Sequence, residues 1–153
     1  GEVAFPGGKK DDCDVSLRDT ALREAHEEIG LHPSDVRIVS QLGQVVSKHG
    51  LLVTPFVGVV DKTVDLSPSP DELHSLFRVP LRFFLSEPCT HADCLSYKGK
   101  NIYVPSYEYK GYTIWGLTAY ILVELLNYGL GARIPMRPRP EASEERIRHD
   151  IPR

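Results

Sequence analysis

Cysteine is scarce: three residues in 153, an odd number and too few for a disulfide framework. A reducing, intracellular compartment is the simpler expectation, with cytoplasm, peroxisome and mitochondrion all compatible. Cys89, His91 and Cys94 supply three of the four ligands that structural zinc takes, so that stretch reads as a polar loop. Cys13 has no thiolate-forming partner near it in sequence and is expected to be incidental to catalysis. Long apolar runs are also missing. A membrane span needs about 20 apolar residues, and Glu124 interrupts the longest stretch, Trp115 to Leu130, which reads instead as a buried helix near the C-terminal end. Nor is there an excess of positive charge. Lys and Arg number 18 against 21 Asp and Glu, a net charge of −3, which argues against a broad polyanion-binding surface and so against a nucleic-acid partner. The sequence contains no internal repeat, no signal peptide and no peroxisomal tripeptide at Ile151-Pro152-Arg153. It opens on Gly1 rather than methionine, as a fragment or trimmed chain would.

Hydrophobic residues make up 41% and charged residues 25%, the balance of one globular domain with a real core. The pattern predicts a short strand at Val3 to Phe5, a loop, and a helix from Leu17 to Ile29. A strand pair follows at Val36 to Val46 and Leu51 to Val60, around Lys48-His49-Gly50. Ser67-Pro68-Ser69-Pro70 breaks the chain ahead of a helical turn at Asp71 to Leu76 and a short helix at Leu81 to Leu85. A hairpin is expected within Tyr97 to Tyr109, turning at Lys98-Gly99-Lys100-Asn101, and a second turn at Lys110-Gly111. Helix and strand mix without βαβ regularity. From Pro135 the chain offers too little apolar surface to fold. The expected division is therefore a domain over 1–132 and a disordered or loosely attached Pro/Arg-rich tail over 133–153.

Chemistry concentrates just after the glycine pair Gly7-Gly8. In Arg23-Glu24-Ala25-His26-Glu27-Glu28-Ile29-Gly30-Leu31, the carboxylates of Glu24, Glu27 and Glu28 fall within roughly 100° of one another around a helix and can address one shared volume. Leu17, Ala21, Leu22, Ala25 and Ile29 fill an adjoining apolar arc. Three like charges at the border of such an arc repel and resist desolvation, and a divalent cation removes both penalties. Hard oxygen donors suit Mg²⁺ or Mn²⁺ better than zinc. An ordinary charged helix face, with Arg23 paired to Glu27 at i,i+4, is the competing explanation. The flanks tilt the balance: glycines that admit close backbone approach, Ser16 as an N-cap, and Gly30 as a left-handed stop.

These residues resemble the Nudix hydrolase family, whose box runs G, five residues, E, seven residues, R-E-U-x-E-E-x-G-U, with U aliphatic. Gly8 and Arg23 to Leu31 match it. Asp14 stands where the pattern has its first glutamate, eight residues rather than seven separate it from Arg23, and Ala25 is smaller than usual. The lengthened loop, Thr20 to Ala25, and Gly1 to Gly8 as the end of a G-x-x-x-F-P-G-G signature look like the coenzyme A diphosphatase branch. Leu52 to Gly58, Pro70 to Leu73, Phe77 to Leu81 and Ile114 to Ala119 also resemble that branch. The resemblance implies an α+β fold, the Nudix α-β-α sandwich around a mixed sheet, here expected without its N-terminal strands. It also implies metal-dependent hydrolysis of the diphosphate bond of coenzyme A and its derivatives to 3′,5′-adenosine bisphosphate and 4′-phosphopantetheine products. ADP-ribose, dinucleotides or oxidised nucleoside triphosphates are the alternative substrates, and a non-catalytic Nudix-like binding module is a third possibility.

The expected metal ligands are Glu24, Glu27 and Glu28, with the Gly8 carbonyl carried over from the family. The proton acceptor is a box glutamate such as Glu27, or Glu72 from the loop after the proline break; Glu72 reads equally well as a surface acid. Arg23 is expected to orient a box glutamate rather than touch substrate. His26 falls on the far side of the helix and reads as structural, while His49 and His74 sit in loops. Lys9 and Lys10 read equally as a phosphate-facing patch or as loop solubility.

Overall fold

The computed structural model describes residues 2–71, 75–86, 90–97 and 100–138. Helix α1 spans Leu17–Ile29, as its periodicity predicts, and both ends are closed by the expected residues. Ser16, in extended conformation, accepts a hydrogen bond from Asp19 N at 3.2 Å on its Oγ. Gly30 takes φ 69°, so that its N–H reaches the His26 carbonyl and the N–H of Leu31 reaches Ala25. Two carbonyls at this end are met from elsewhere: Ser67 N donates to Ile29 O at 3.0 Å and Ser69 N to Glu28 O at 2.8 Å. The proline-rich segment is thereby tied to the turn that carries Glu28.

The predicted strand pair forms as two short ladders. Strands β1 (Val36–Gln41) and β4 (Phe56–Val60) pair antiparallel with a bulge between Ile38 and Ser40, and β2 (Val45–Val46) pairs with β3 (Leu52–Val53). Pro55 has no N–H to give, and at the break its carbonyl accepts from Leu42 N at 2.9 Å. Helix α2 (Leu81–Ser86) forms behind Pro80 as expected.

The larger sheet joins β5 (Thr90–Tyr97), β6 (Lys100–Tyr109) and β7 (Tyr112–Ile114), all antiparallel. Lys110 at φ 46° and Gly111 at φ 83° make the two-residue turn between β6 and β7. Helix α3 (Gly116–Glu124) continues into a π-helical turn over Leu125–Gly129 and packs on β6. The core sits there: Val104, Tyr107, Ile114, Ala119, Tyr120, Leu122 and Leu126, with Val45 and Phe84 closing it. Partial burial pushes the Glu124 carboxyl above its ordinary value. Phe77 stacks on Tyr112 at 4.0 Å and 6°, and Ser75 Oγ lies 2.9 Å from Tyr112 Oη, so the chain after the proline break is fastened to the β6–β7 hairpin. Among the described residues, no helix is long and apolar enough to cross a membrane.

Two expectations need correction. Val3 to Phe5 is not a strand: the Val3 carbonyl accepts from Thr118 Oγ1 at 2.8 Å and the Val3 side chain packs on the core, while Ala4 and Phe5 are exposed. The described part of Cys89 to Cys94 is strand β5 rather than a loop, because its backbone pairs with β6. Pairing among the described residues is antiparallel and divided into small sheets, which together with the helices gives the expected α+β class. Residues 133–138 make contacts with the rest of the domain. Asn127 exchanges two hydrogen bonds with the Ile134 backbone (2.8 and 2.9 Å), Met136 packs on the core, and Arg137–Pro138 forms strand β8 against β6. The rest of the tail, 139–153, lies outside the described residues, as do parts of the 71–76 turn and the 98–101 turn.

Gly30→Ala is expected to cost about 1–2 kcal/mol, because an L side chain is strained at this positive φ and the new Cβ would sit 3.4 Å from Ser67 Oγ. Urea denaturation measures it.

Candidate functional site

Arg23 joins the loop before α1 to the acidic face of the helix. Its Nε donates to Asp14 Oδ1 at 3.0 Å and its Nη2 to Asp14 Oδ2 at 3.0 Å, a two-pronged grip on one carboxylate. Nη2 also reaches the Lys9 carbonyl at 3.1 Å. Nη1 faces the other way, donating to Glu24 Oε1 at 3.2 Å and Glu27 Oε2 at 3.1 Å. The i,i+4 pair read from sequence is therefore real, and it is one arm of a larger network.

Asp14 holds the loop end of that network from a buried position. Asp11 N donates to its Oδ2 at 2.8 Å and Thr20 Oγ1 at 3.0 Å, while Asp14 N returns a bond to the Asp11 carbonyl. The Arg23 guanidinium, more than the Asp11 amide or the Thr20 hydroxyl, holds the Asp14 carboxyl well below the usual carboxylate range. Reciprocally, Asp14 first and Glu27 second raise the Arg23 value above its ordinary one.

Gly8 lies against Glu24. A Cβ at Gly8 would collide with Glu24 Oε1 and sit 2.5 Å from its Cδ, so a side chain there would displace the Glu24 carboxylate from its position against the loop backbone. The Glu24 side chain is 16% exposed and that of Glu27 is 51% exposed, which leaves Glu27 the more accessible to solvent and to a ligand. Glu28 lies on the same side of the helix by periodicity, its carbonyl engaged by Ser69.

The structure thus gathers Gly8, Arg23, Glu24 and Glu27 and adds Asp14 to them. Among the described residues, no three His, Cys, Asp or Glu side chains converge into a ready-made metal cluster, because Glu24 and Glu27 are turned onto Arg23. The donor set still fits a hard divalent cation: carboxylate oxygens on one helix face, beside a glycine cradle that a side chain would fill. Glu72 and His74 lie outside the described residues. His26 packs edge-on against His32 at 5.2 Å between ring centroids, away from the carboxylates, as its azimuth implies. His49 sits in the β2–β3 turn, and Cys13 is an exposed free thiol. An open groove of about 620 Å³ runs between Ser16, Leu17 and Arg18 and the β1 residues Ile38 to Gln41, at the N-terminal end of α1 rather than among the glutamates.

Sequence reasoning missed Thr20 and the anchoring role of Asp14. Thr20 stands three residues before Arg23, hence one turn away on the same strip, and that spacing was the available signal.

Because the Asp14 value is depressed by folding, its contribution to stability is complete above the unfolded aspartate pKa of about 3.9 and is lost as pH falls below it towards the depressed folded value. Thermal melts of wild type and Asp14→Asn should therefore show a Tm gap that is constant above about pH 5 and narrows below about pH 4.

The sequence model of the NUDIX domain matches residues 1–87. Over 129 residues the chain is 40% identical to the peroxisomal coenzyme A diphosphatase NUDT7 of Mus musculus, covering 80% of this chain and 55% of that one. It is 42% identical over 125 residues to the Nudix hydrolase NudL of Photorhabdus laumondii, covering 82% and 67%. It is 40% identical over 129 residues to the mitochondrial Nudix hydrolase 15 of Arabidopsis thaliana, covering 80% and 45%. The chain spans roughly half to two thirds of the length of these relatives. With the family model covering more than half of its residues and its α+β architecture in agreement, the chain belongs to the Nudix hydrolase family.

Proposed function

We propose that the chain hydrolyses the diphosphate bond of coenzyme A and its derivatives, with Mg²⁺ or Mn²⁺ as cofactor, releasing 3′,5′-adenosine bisphosphate and a 4′-phosphopantetheine product. The observation that carries the chemistry is the pair of carboxylates, Glu24 and Glu27, held by one guanidinium beside the Gly8 cradle. The substrate is supported by the likeness to a relative whose name states coenzyme A diphosphatase activity.

Glu24, Glu27 and Glu28, with the Gly8 carbonyl, are the residues that would hold the cation. When bound, the cation neutralises the diphosphate, aligns it and lowers the pKa of water. The chain's own work is positional. Arg23 keeps Glu24 and Glu27 on a common side and offsets their mutual repulsion until a ligand takes over. Glu27, the more exposed of the two, accepts the proton as water adds to phosphorus; Glu72 is the other acid assigned to that task. The P–O bond of the bridge breaks on the opposite side and the bridging oxygen leaves with the second phosphate. No protein nucleophile is needed.

Chromatographic product analysis on a panel of coenzyme A, ADP-ribose, NADH and nucleoside triphosphates tests the substrate. Preferential release of 3′,5′-adenosine bisphosphate is expected; preference for another compound would keep the reaction type and discard coenzyme A. Glu28→Gln should lower divalent-dependent kcat/KM by more than the roughly 10–100-fold that loss of an outer-shell partner costs, with an unchanged melting temperature. Retained activity in that variant would contradict the site.

A further inference from the structure

Arg23 divides its donors between two tasks. Nε and Nη2 are committed to Asp14 and the Lys9 carbonyl, and Nη1 alone serves Glu24 and Glu27. How firmly the first group of bonds holds decides whether the guanidinium can release the glutamates. That firmness rests on Asp14, whose Oδ2 accepts from Asp11 N at 2.8 Å, Thr20 Oγ1 at 3.0 Å and Arg23 Nη2 at 3.0 Å.

Thr20 is, beside Arg23, the second residue of α1 that donates to that carboxylate. It is 3% exposed and has one hydroxyl proton to donate. The usual acceptor for a helical threonine, the carbonyl four residues back, is also in range, with Ser16 O at 3.2 Å. The shorter distance and the ionised acceptor favour Asp14. Asp14 is one methylene shorter than the glutamate of the family pattern, and its carboxylate reaches Arg23 from the loop ahead of α1. The buried Thr20 hydroxyl meets it there.

We propose that Thr20 is a positioning residue for the carboxylate site. By locking the Asp14 carboxylate it anchors Arg23 to the loop, so that Glu24 and Glu27 can turn from Nη1 to a divalent cation while the guanidinium stays behind. Without the hydroxyl, Asp14 rotates, Arg23 follows the two glutamates, and its positive charge competes with the cation for them. This rests on the proposed role of those glutamates as cation ligands.

The test is Mn²⁺ affinity by calorimetry, read together with the ¹⁵N–¹H signal of Arg23 Nε. Thr20→Val, close to isosteric, should weaken Mn²⁺ binding about tenfold and shift or broaden the Arg23 signal in metal-free protein. Thr20→Ser should restore both. In wild type the Arg23 Nε signal should persist when Mg²⁺ is added, and if Thr20→Val does not fold, Thr20→Ala is read in its place. Unchanged Mn²⁺ affinity in folded Thr20→Val, or loss of the wild-type Arg23 signal on adding Mg²⁺, overturns the proposal. Failure of the parent reading looks different: wild type then binds no Mn²⁺ at all.

Discussion

The two-pronged bond between Arg23 and Asp14 is the constraint on which the candidate site depends. A helix can space three glutamates along one face, but it cannot by itself bring a glycine-rich loop against them. Here the loop supplies a buried carboxylate, the helix supplies a guanidinium, and the remaining arm of that guanidinium reaches the glutamates. An ion pair fully exposed to solvent would contribute little, and this one is not exposed. Its value lies in geometry: Asp14 is buried, the guanidinium fork is planar, and Thr20 and the Asp11 amide leave the carboxylate little freedom to turn.

The rest of the structure holds that arrangement from both ends. Ser16 and Gly30 fix where α1 starts and stops, so the azimuths of Glu24, Glu27 and Glu28 are set by local chain chemistry. The proline-rich segment closes the far end through Ser67 and Ser69, and the same stretch of chain is then fastened to the β6–β7 hairpin through Ser75 and Phe77. The main core between α3 and β6 lies outside the acidic face. Packing and chemistry are thus carried by different residues, which lets the acidic face keep its charge while the fold is stabilised elsewhere.

What the sequence disclosed followed the range of the interactions involved. Helix α1, its caps and the Lys110-Gly111 turn were legible because a few consecutive residues determine them. Strand β5 was not, because Ala92 and Asp93 have weak strand preference and the strand exists through its ladder with β6. Val3 to Phe5 erred the other way: apolar content suggested a strand, while the backbone bond at Val3 goes to a side chain on α3. In the site, the glutamates and Arg23 were legible from spacing. Asp14 was seen only as a departure from a pattern, since its meaning lies in contacts with Thr20 and Arg23 that cross from loop to helix.

The central claim is that the Arg23-held glutamates form a divalent-cation site. A crystal structure of the Mn²⁺-loaded chain, with manganese located by anomalous scattering, tests it most directly. Manganese is expected among the carboxylates of Glu24, Glu27 and Glu28 beside Gly8, with Glu24 and Glu27 withdrawn from Nη1 and Arg23 still on Asp14. Manganese bound elsewhere, or Glu24 and Glu27 still paired with Arg23 at saturating metal, would contradict it.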